Sequence, residues 1–191
     1  MNFLNRKKLI LIGASTGGPG LLESIVTALP PKIVTPIIIA QHMDSLSLES
    51  FAKRLHRINN ITVELVTQKT ELREGVIYLL EDTSVMQKEY NSYFLEPSSH
   101  ATGFYHPTID ELFSSVAKFS NLEVHAYLLS GIGADGAKGL LALKESGAKT
   151  VAQDEATSIV YGMPKSAVEM GAASKVMSID KIKEDIDVLV V

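Results

Sequence analysis

The chain has 191 residues, 46% of them hydrophobic and 21% charged. That is enough for one domain over residues 1–191 with a sheet covered on both faces, and too ordinary a composition for a disordered or fibrous protein. A formal net charge of -4 gives no electrostatic reason to bind nucleic acid or an anionic membrane surface, and the absence of cysteine removes disulfides, thiol catalysis and thiolate metal sites together. No apolar run approaches the ~18 residues of a membrane span, and the N-terminus leads straight into a core-like segment. Neither a transmembrane helix nor a signal peptide is expected, and the chain reads as a cytoplasmic domain.

Taken in order, KKLILIG (7–13) is a nearly continuous apolar run, as expected of a parallel strand buried on both faces. Residues 19–29 follow as a helix with Pro19 in its first turn, where a missing N–H costs nothing. VTPIIIAQH (34–42) is a second buried strand. Residues 45–58 place Leu48, Phe51, Leu55 and Ile58 on one helical face, with Asp44 or Ser45 as the cap. Residues 61–67, 75–80 and 91–96 read as strands of a small antiparallel excursion, and 98–107 as a loop. Thr108 and Glu111 have the spacing of a capping box at the head of TIDELFSSVAKF. VHAYLLS (124–130) is a third apolar strand, followed by a glycine-rich turn and a helix near 136–146. A short strand (149–153), a short helix from Pro164 and a last helix or strand complete the chain. Strands alternating with helices predict an α/β fold: a doubly wound, mostly parallel sheet with helices on both faces.

Ligands of such sheets bind beyond the carboxyl ends of the strands. Three predicted strands end in reactive residues: Ser15 in GASTGG, His42 in AQH and Asp135 in SGIGADG. A nucleophile, a base and a carboxylate from separate strand ends match the way a serine-hydrolase triad assembles. GASTG fits the G-x-S-x-G pattern of a serine on a sharp strand-to-helix turn, though many α/β proteins have such a turn without chemistry. A phosphate loop fits less well, because GASTGGPG lacks the lysine of G-x-x-x-x-G-K, and neither the spacing nor an acidic residue supports a dinucleotide site. Of the other histidines, His56 reads as a surface group, His125 as packed in a strand, and His100 and His106 as loop residues able to line a cleft. A helix cap accounts for Asp135 more simply than catalysis does, and Asp110, Asp154 and Glu155 compete for the carboxylate role.

The segments IGASTGGPG, IIIAQHM, FAKRL, PTIDELFSSVA, LLSGIGADGAKGL and VAQDEATSIVYGMPKSAVEMGAAS run in order from about residue 8 to residue 178. Together they resemble the catalytic domain of chemotaxis protein-glutamate methylesterases of the CheB type. The resemblance implies hydrolysis of γ-glutamyl methyl esters on the cytoplasmic helices of methyl-accepting chemoreceptors, with glutamine deamidation in some members. It further implies Ser15 as nucleophile, His42 as base and Asp135 as the third member, in a chain order unlike that of the α/β-hydrolases. The backbone N–H groups of Thr16 and Ile132 would form the oxyanion hole, and His106 and Met163 would contact substrate. No metal, cofactor, nucleic acid or membrane insertion is implied.

Two departures shape further expectations. Family members usually carry a receiver domain before the catalytic strand, whereas this chain begins at that strand, so control by a response-regulator domain in trans is expected. The middle stretches read IYLLEDTSVM and ATGFYHPT, with Phe104 and His106 where the family has arginines and with Glu81 and Asp82 adding negative charge. Fewer cations weaken attraction to an acidic receptor segment. The alternatives are a related serine hydrolase acting on another protein ester or amide, or a receptor-binding module without turnover.

Overall fold

The alternation read in the sequence forms a seven-stranded sheet in the computed structural model, which describes residues 7–98 and 106–191. The first half of the chain runs β1 (Lys7–Ala14), α1 (Gly18–Ala28), β2 (Ile37–Gln41), α2 (Ser45–Asn59), β3 (Thr62–Val66), β4 (Thr70–Glu71), β5 (Val76–Leu80), β6 (Ser84–Glu89) and β7 (Ser92–Pro97). The second half adds α3 (Ile109–Val116), β8 (Leu122–Leu128), α4 (Ala137–Glu145), β9 (Lys149–Gln153), α5 (Met163–Glu169), β10 (Lys175–Met177) and α6 (Ile179–Leu189). The main sheet has the order β10-β9-β8-β1-β2-β5-β3, and every neighbouring pair is parallel. Among the described residues no helix is long and apolar enough to cross a membrane.

The strands read as unbroken apolar runs because both faces are covered. In β1, Leu9 and Leu11 join one core with Leu112 and Phe113 of α3 and Leu140 of α4. Ile10 and Ile12 point the other way, into a core with Leu22 of α1, Phe51 of α2 and Ile186 of α6. The same two-residue alternation splits β2, β5 and β8 between the cores. The chain leaves β1 toward β2 and later returns to β8 on its other side, so β1 is the point where the winding reverses. Its carboxyl end is where such a sheet opens a crevice.

Three expectations need correction. Residues 61–67 and 75–80 are not part of the antiparallel excursion: β3 and β5 are parallel strands of the main sheet, with β3 at its edge and β5 between β3 and β2. All five residues of β5 are buried, which suits a parallel strand and not a half-exposed hairpin. The antiparallel sheet is β4-β7-β6, and of the residues expected there only 91–96 contribute, paired with β6. It lies over α3, where Met86 N–H donates to Ser115 Oγ at 2.8 Å. Thr108 does not close a capping box by its side chain; its hydroxyl accepts from Thr83 Oγ1 at 3.1 Å, and another residue caps α3. Asp44 does cap α2, accepting from Ser47 N–H at 3.0 Å. The last segment is the helix α6.

Candidate active site

Ser15 continues the β1 ladder one step past Ala14. Its N–H donates to Ser130 O at 3.0 Å on one side, and His42 N–H donates to Ala14 O at 3.0 Å on the other. The reversal point of the sheet therefore sets the Ser15 backbone between the chain that leaves β2 and the chain that leaves β8. The strand then turns at once into α1: Gly18 N–H donates back to Ser15 O at 2.8 Å, and Gly17 caps the helix at φ 83°. Ser15 is buried in this turn.

His42 and Asp135 form a pair, with Nε2 2.7 Å from Oδ2 and side chains 8% and 7% exposed. Asp135 precedes α4 in sequence but serves α3 instead. Its Oδ2 accepts from Ile109 N–H at 2.9 Å and its Oδ1 from Asp110 N–H at 3.0 Å, so the carboxylate is the missing cap of that helix. In exchange Asp110 accepts from Gly139 N–H in α4 at 2.7 Å. Burial alone would raise the Asp135 pKa, but the hydrogen bond from His42 and the Ile109 and Asp110 amides outweigh it and hold the carboxyl below its ordinary range. An ionised carboxylate only accepts, so Nε2 carries the imidazole proton and Nδ1 of the neutral ring is the basic nitrogen. Asp110 has the opposite fate: burial, with the charge of Asp135 adding to it, raises its pKa. Asp154 is occupied by its own turn, accepting from Thr157 N–H at 3.0 Å and Thr157 Oγ1 at 2.6 Å, and Glu155 is exposed beside it.

A carboxyl whose folded pKa is depressed contributes stability that is present above its unfolded pKa and is lost as pH falls through the folded value. The urea midpoint of the wild type is therefore expected to exceed that of Asp135→Asn at neutral pH. The margin holds down to the ordinary aspartate value of 3.8 and closes below it. Urea titrations of both proteins between pH 7 and pH 2.5 measure this directly, and a margin that grew with acid would contradict the assigned direction.

The two backbone amides singled out in the sequence have their carbonyls tied from behind. Ser15 O, in the same peptide unit as Thr16 N–H, accepts from Gly18 N–H and from Gln41 Nε2 at 2.9 Å. Gly131 O, in the same unit as Ile132 N–H, accepts from Met163 N–H at 2.9 Å and Gly162 N–H at 3.2 Å. A trans peptide points its N–H opposite its C=O, so each clamp turns the N–H away from the clamping groups. Neither N–H meets an acceptor among the described residues. Gly131 is obligatory for close approach: a Cβ there would sit 2.3 Å from Met163 Sδ and 2.7 Å from Ser15 Cβ. The fully buried Ser130 joins the turns, its Oγ donating to Thr16 O at 2.7 Å and accepting from Val160 N–H at 2.9 Å, while Gln153 Oε1 accepts its N–H at 2.9 Å.

The two expected substrate contacts are placed differently. Met163 is fully buried with its sulfur against Gly131, so it backs the turn and lines no open surface. His106 is half exposed, its Nδ1 2.9 Å from Asp82 Oδ1, so the ring is engaged by a neighbouring side chain. His100 and Phe104 lie outside the described residues. His56 sits on the exposed face of α2 with Nδ1 2.8 Å from Ile61 O, and His125 is buried beside Glu123. Gln41, Ser130 and Gln153, which bind the loops together, went unrecognised in the sequence. Their signal was a polar residue closing each of three apolar strands. Among the described residues no group of three or more His, Asp and Glu is placed to hold a metal ion.

Residues 10–186 match the sequence model of a family described as CheB methylesterase. The protein-glutamate methylesterase/protein-glutamine glutaminase 1 of Carboxydothermus hydrogenoformans is 36% identical over 187 residues, covering 95% of this chain and 55% of that protein. The protein-glutamate methylesterase/protein-glutamine glutaminase of Photorhabdus laumondii is 38% identical over 185 residues, covering 95% and 52%. The chain thus spans about half the length of these curated relatives. The crystal structure of the Thermotoga maritima CheB methylesterase catalytic domain superposes with a TM-score of 0.88 at 31% identity, covering 98% of this chain and all of that one.

Proposed function

The chain belongs to the CheB methylesterase family, and on that premise we propose that it hydrolyses γ-glutamyl methyl esters of methyl-accepting chemoreceptors by acyl transfer to Ser15. His42 Nδ1 takes the Ser15 hydroxyl proton as Oγ attacks the ester carbonyl. The developing oxyanion is held by Thr16 N–H and Ile132 N–H. His42 then returns the proton to the departing methoxide, methanol leaves, and water repeats the cycle on the acyl enzyme to release glutamate. Asp135 keeps the imidazole in the required tautomer and stabilises the imidazolium. The same steps with ammonia as leaving group deamidate a glutamine, the second activity in the names of the relatives.

The observation that carries this reading is the buried 2.7 Å His42–Asp135 pair at the carboxyl end of the strand beside Ser15. The partners are the cytoplasmic helices of the receptors, the reaction takes place in the cytoplasm, and a response-regulator domain supplies control. The test is methanol release from a methyl-labelled receptor cytoplasmic fragment. Steady release supports the reading. Silence from a protein whose Ser15 still reacts with a fluorophosphonate would replace it with a serine hydrolase of another protein ester or amide. Receptor binding with neither release nor labelling would leave a binding module.

A further inference from the structure

Gln41 is the last residue of β2 and is 1% exposed at the end of a strand that is otherwise aliphatic. A primary amide in such a place is costly unless its groups are paired. Nε2 is fully used, donating to Ser15 O at 2.9 Å and to His42 O at 3.0 Å. Oε1 is buried with no hydrogen-bond partner among the described residues. It faces the head of α1, where a Cβ on Gly18 would come within 2.1 Å of it. The fold thus gives up the side chain at position 18 and leaves one buried acceptor unsatisfied. A methionine would fill the space with no orphaned oxygen, so packing does not account for the amide. What the amide alone provides is a pair of donors, and both go to the main chain of the candidate nucleophile and the candidate base.

We propose that Gln41 is a positioning residue for acyl transfer. By holding Ser15 O from behind it fixes the plane of the Ser15–Thr16 peptide, and with it the direction of Thr16 N–H toward the oxyanion. By holding His42 O with the same nitrogen it fixes the main chain of the base relative to that plane. Gly18 N–H shares the load on Ser15 O, but among the described residues only Gln41 links the main chains of Ser15 and His42 through one side chain. This role rests on the esterase reading above, since it is the tetrahedral oxyanion that the oriented amide would meet.

The experiment compares wild type with Gln41→Met and Gln41→Glu, each normalised to the number of sites a fluorophosphonate finally titrates. Two rates are read per titrated site: methanol release from the receptor fragment and second-order phosphonylation of Ser15. Loss of a well-aimed oxyanion donor costs on the order of 10²–10³ in kcat. A fall of about that size in both rates is expected for Gln41→Met, with KM nearly unchanged. Ionised Gln41→Glu cannot donate and is expected to match it at pH 8, then regain rate relative to wild type as acid restores an O–H donor. Rates per titrated site that stay near wild type, with losses confined to melting temperature or titratable fraction, would show a structural residue and overturn the proposal. Wild type that neither releases methanol nor labels would instead overturn the esterase reading, and this role with it.

Discussion

Ser15→Ala is expected to lower methanol release by on the order of 10⁴–10⁶-fold while leaving the fold and the urea midpoint close to wild type. The size follows from how a triad works: the nucleophile and base act as a unit, and losing the nucleophile alone removes nearly all covalent catalysis. What survives is the contribution of oriented amides and bound substrate. The fold is expected to tolerate the change because the Ser15 backbone carries the local structure, through its N–H to Ser130 and its carbonyl to Gly18 and Gln41. The measurement is initial-rate methanol release from a labelled receptor fragment, with both proteins checked by urea titration. A loss below about tenfold would mean that another group attacks the ester.

Asp135→Asn carries the second large effect, a fall in kcat of on the order of 10⁴ with little change in KM. The asparagine keeps the shape, and its one oxygen, in the place of Oδ1, still accepts from Asp110 N–H, so α3 keeps one of its two bonds to this cap. Its amide, however, offers a donor to a ring nitrogen that is itself a donor in the wild type. The imidazole must then turn over or change tautomer, and Nδ1 no longer accepts the Ser15 proton. Loss of the negative charge also removes the stabilisation of the imidazolium. Asp110→Asn is the informative control, because Asp110 accepts from backbone amides at the head of α4, makes no bond to His42 among the described residues, and sits uncomfortably ionised through burial and the nearby Asp135 charge. It is expected to keep activity and, since a raised carboxyl pKa weakens folding as pH climbs past the ordinary aspartate range, to stabilise the protein at neutral pH. Steady-state kinetics and urea midpoints at pH 7 separate the two aspartates. Equal losses from both would place the effect in helix packing instead of in the base.

The parts of this arrangement legible in the sequence were those governed by periodicity and by strand ends. Continuous apolar runs identified β1, β2 and β8, and the rule that parallel sheets open at their carboxyl edge drew Ser15, His42 and Asp135 into one neighbourhood. Pairing in space was harder to read. Thr62–Val66 gave no local sign of lying parallel to Val76–Leu80 at the sheet edge, because its partner and register come from the crossover connections and not from the strand itself. Ser84–Glu89 went unseen because its side chains mix charge with one buried methionine and its order comes from packing on α3. Asp135 was ambiguous for a different reason: a carboxylate before a helix normally caps that helix, and only the crossing of α3 over α4 turns it toward another helix and toward His42. Gln41 and Ser130 were passed over for the converse reason: each is a polar residue closing an apolar strand, but the backbone atoms that explain it, Ser15 O and Thr16 O, are far away in sequence.

The measurement that tests the central claim most directly is the location of the covalent adduct. Wild type is treated with a fluorophosphonate, digested and read by mass spectrometry, with His42→Ala and Asp135→Asn carried alongside. The expected result is one adduct per chain on Ser15, formed far more slowly in the two variants. An adduct on another residue, or labelling of Ser15 that proceeds equally fast without His42 and Asp135, would contradict a triad built at these three strand ends.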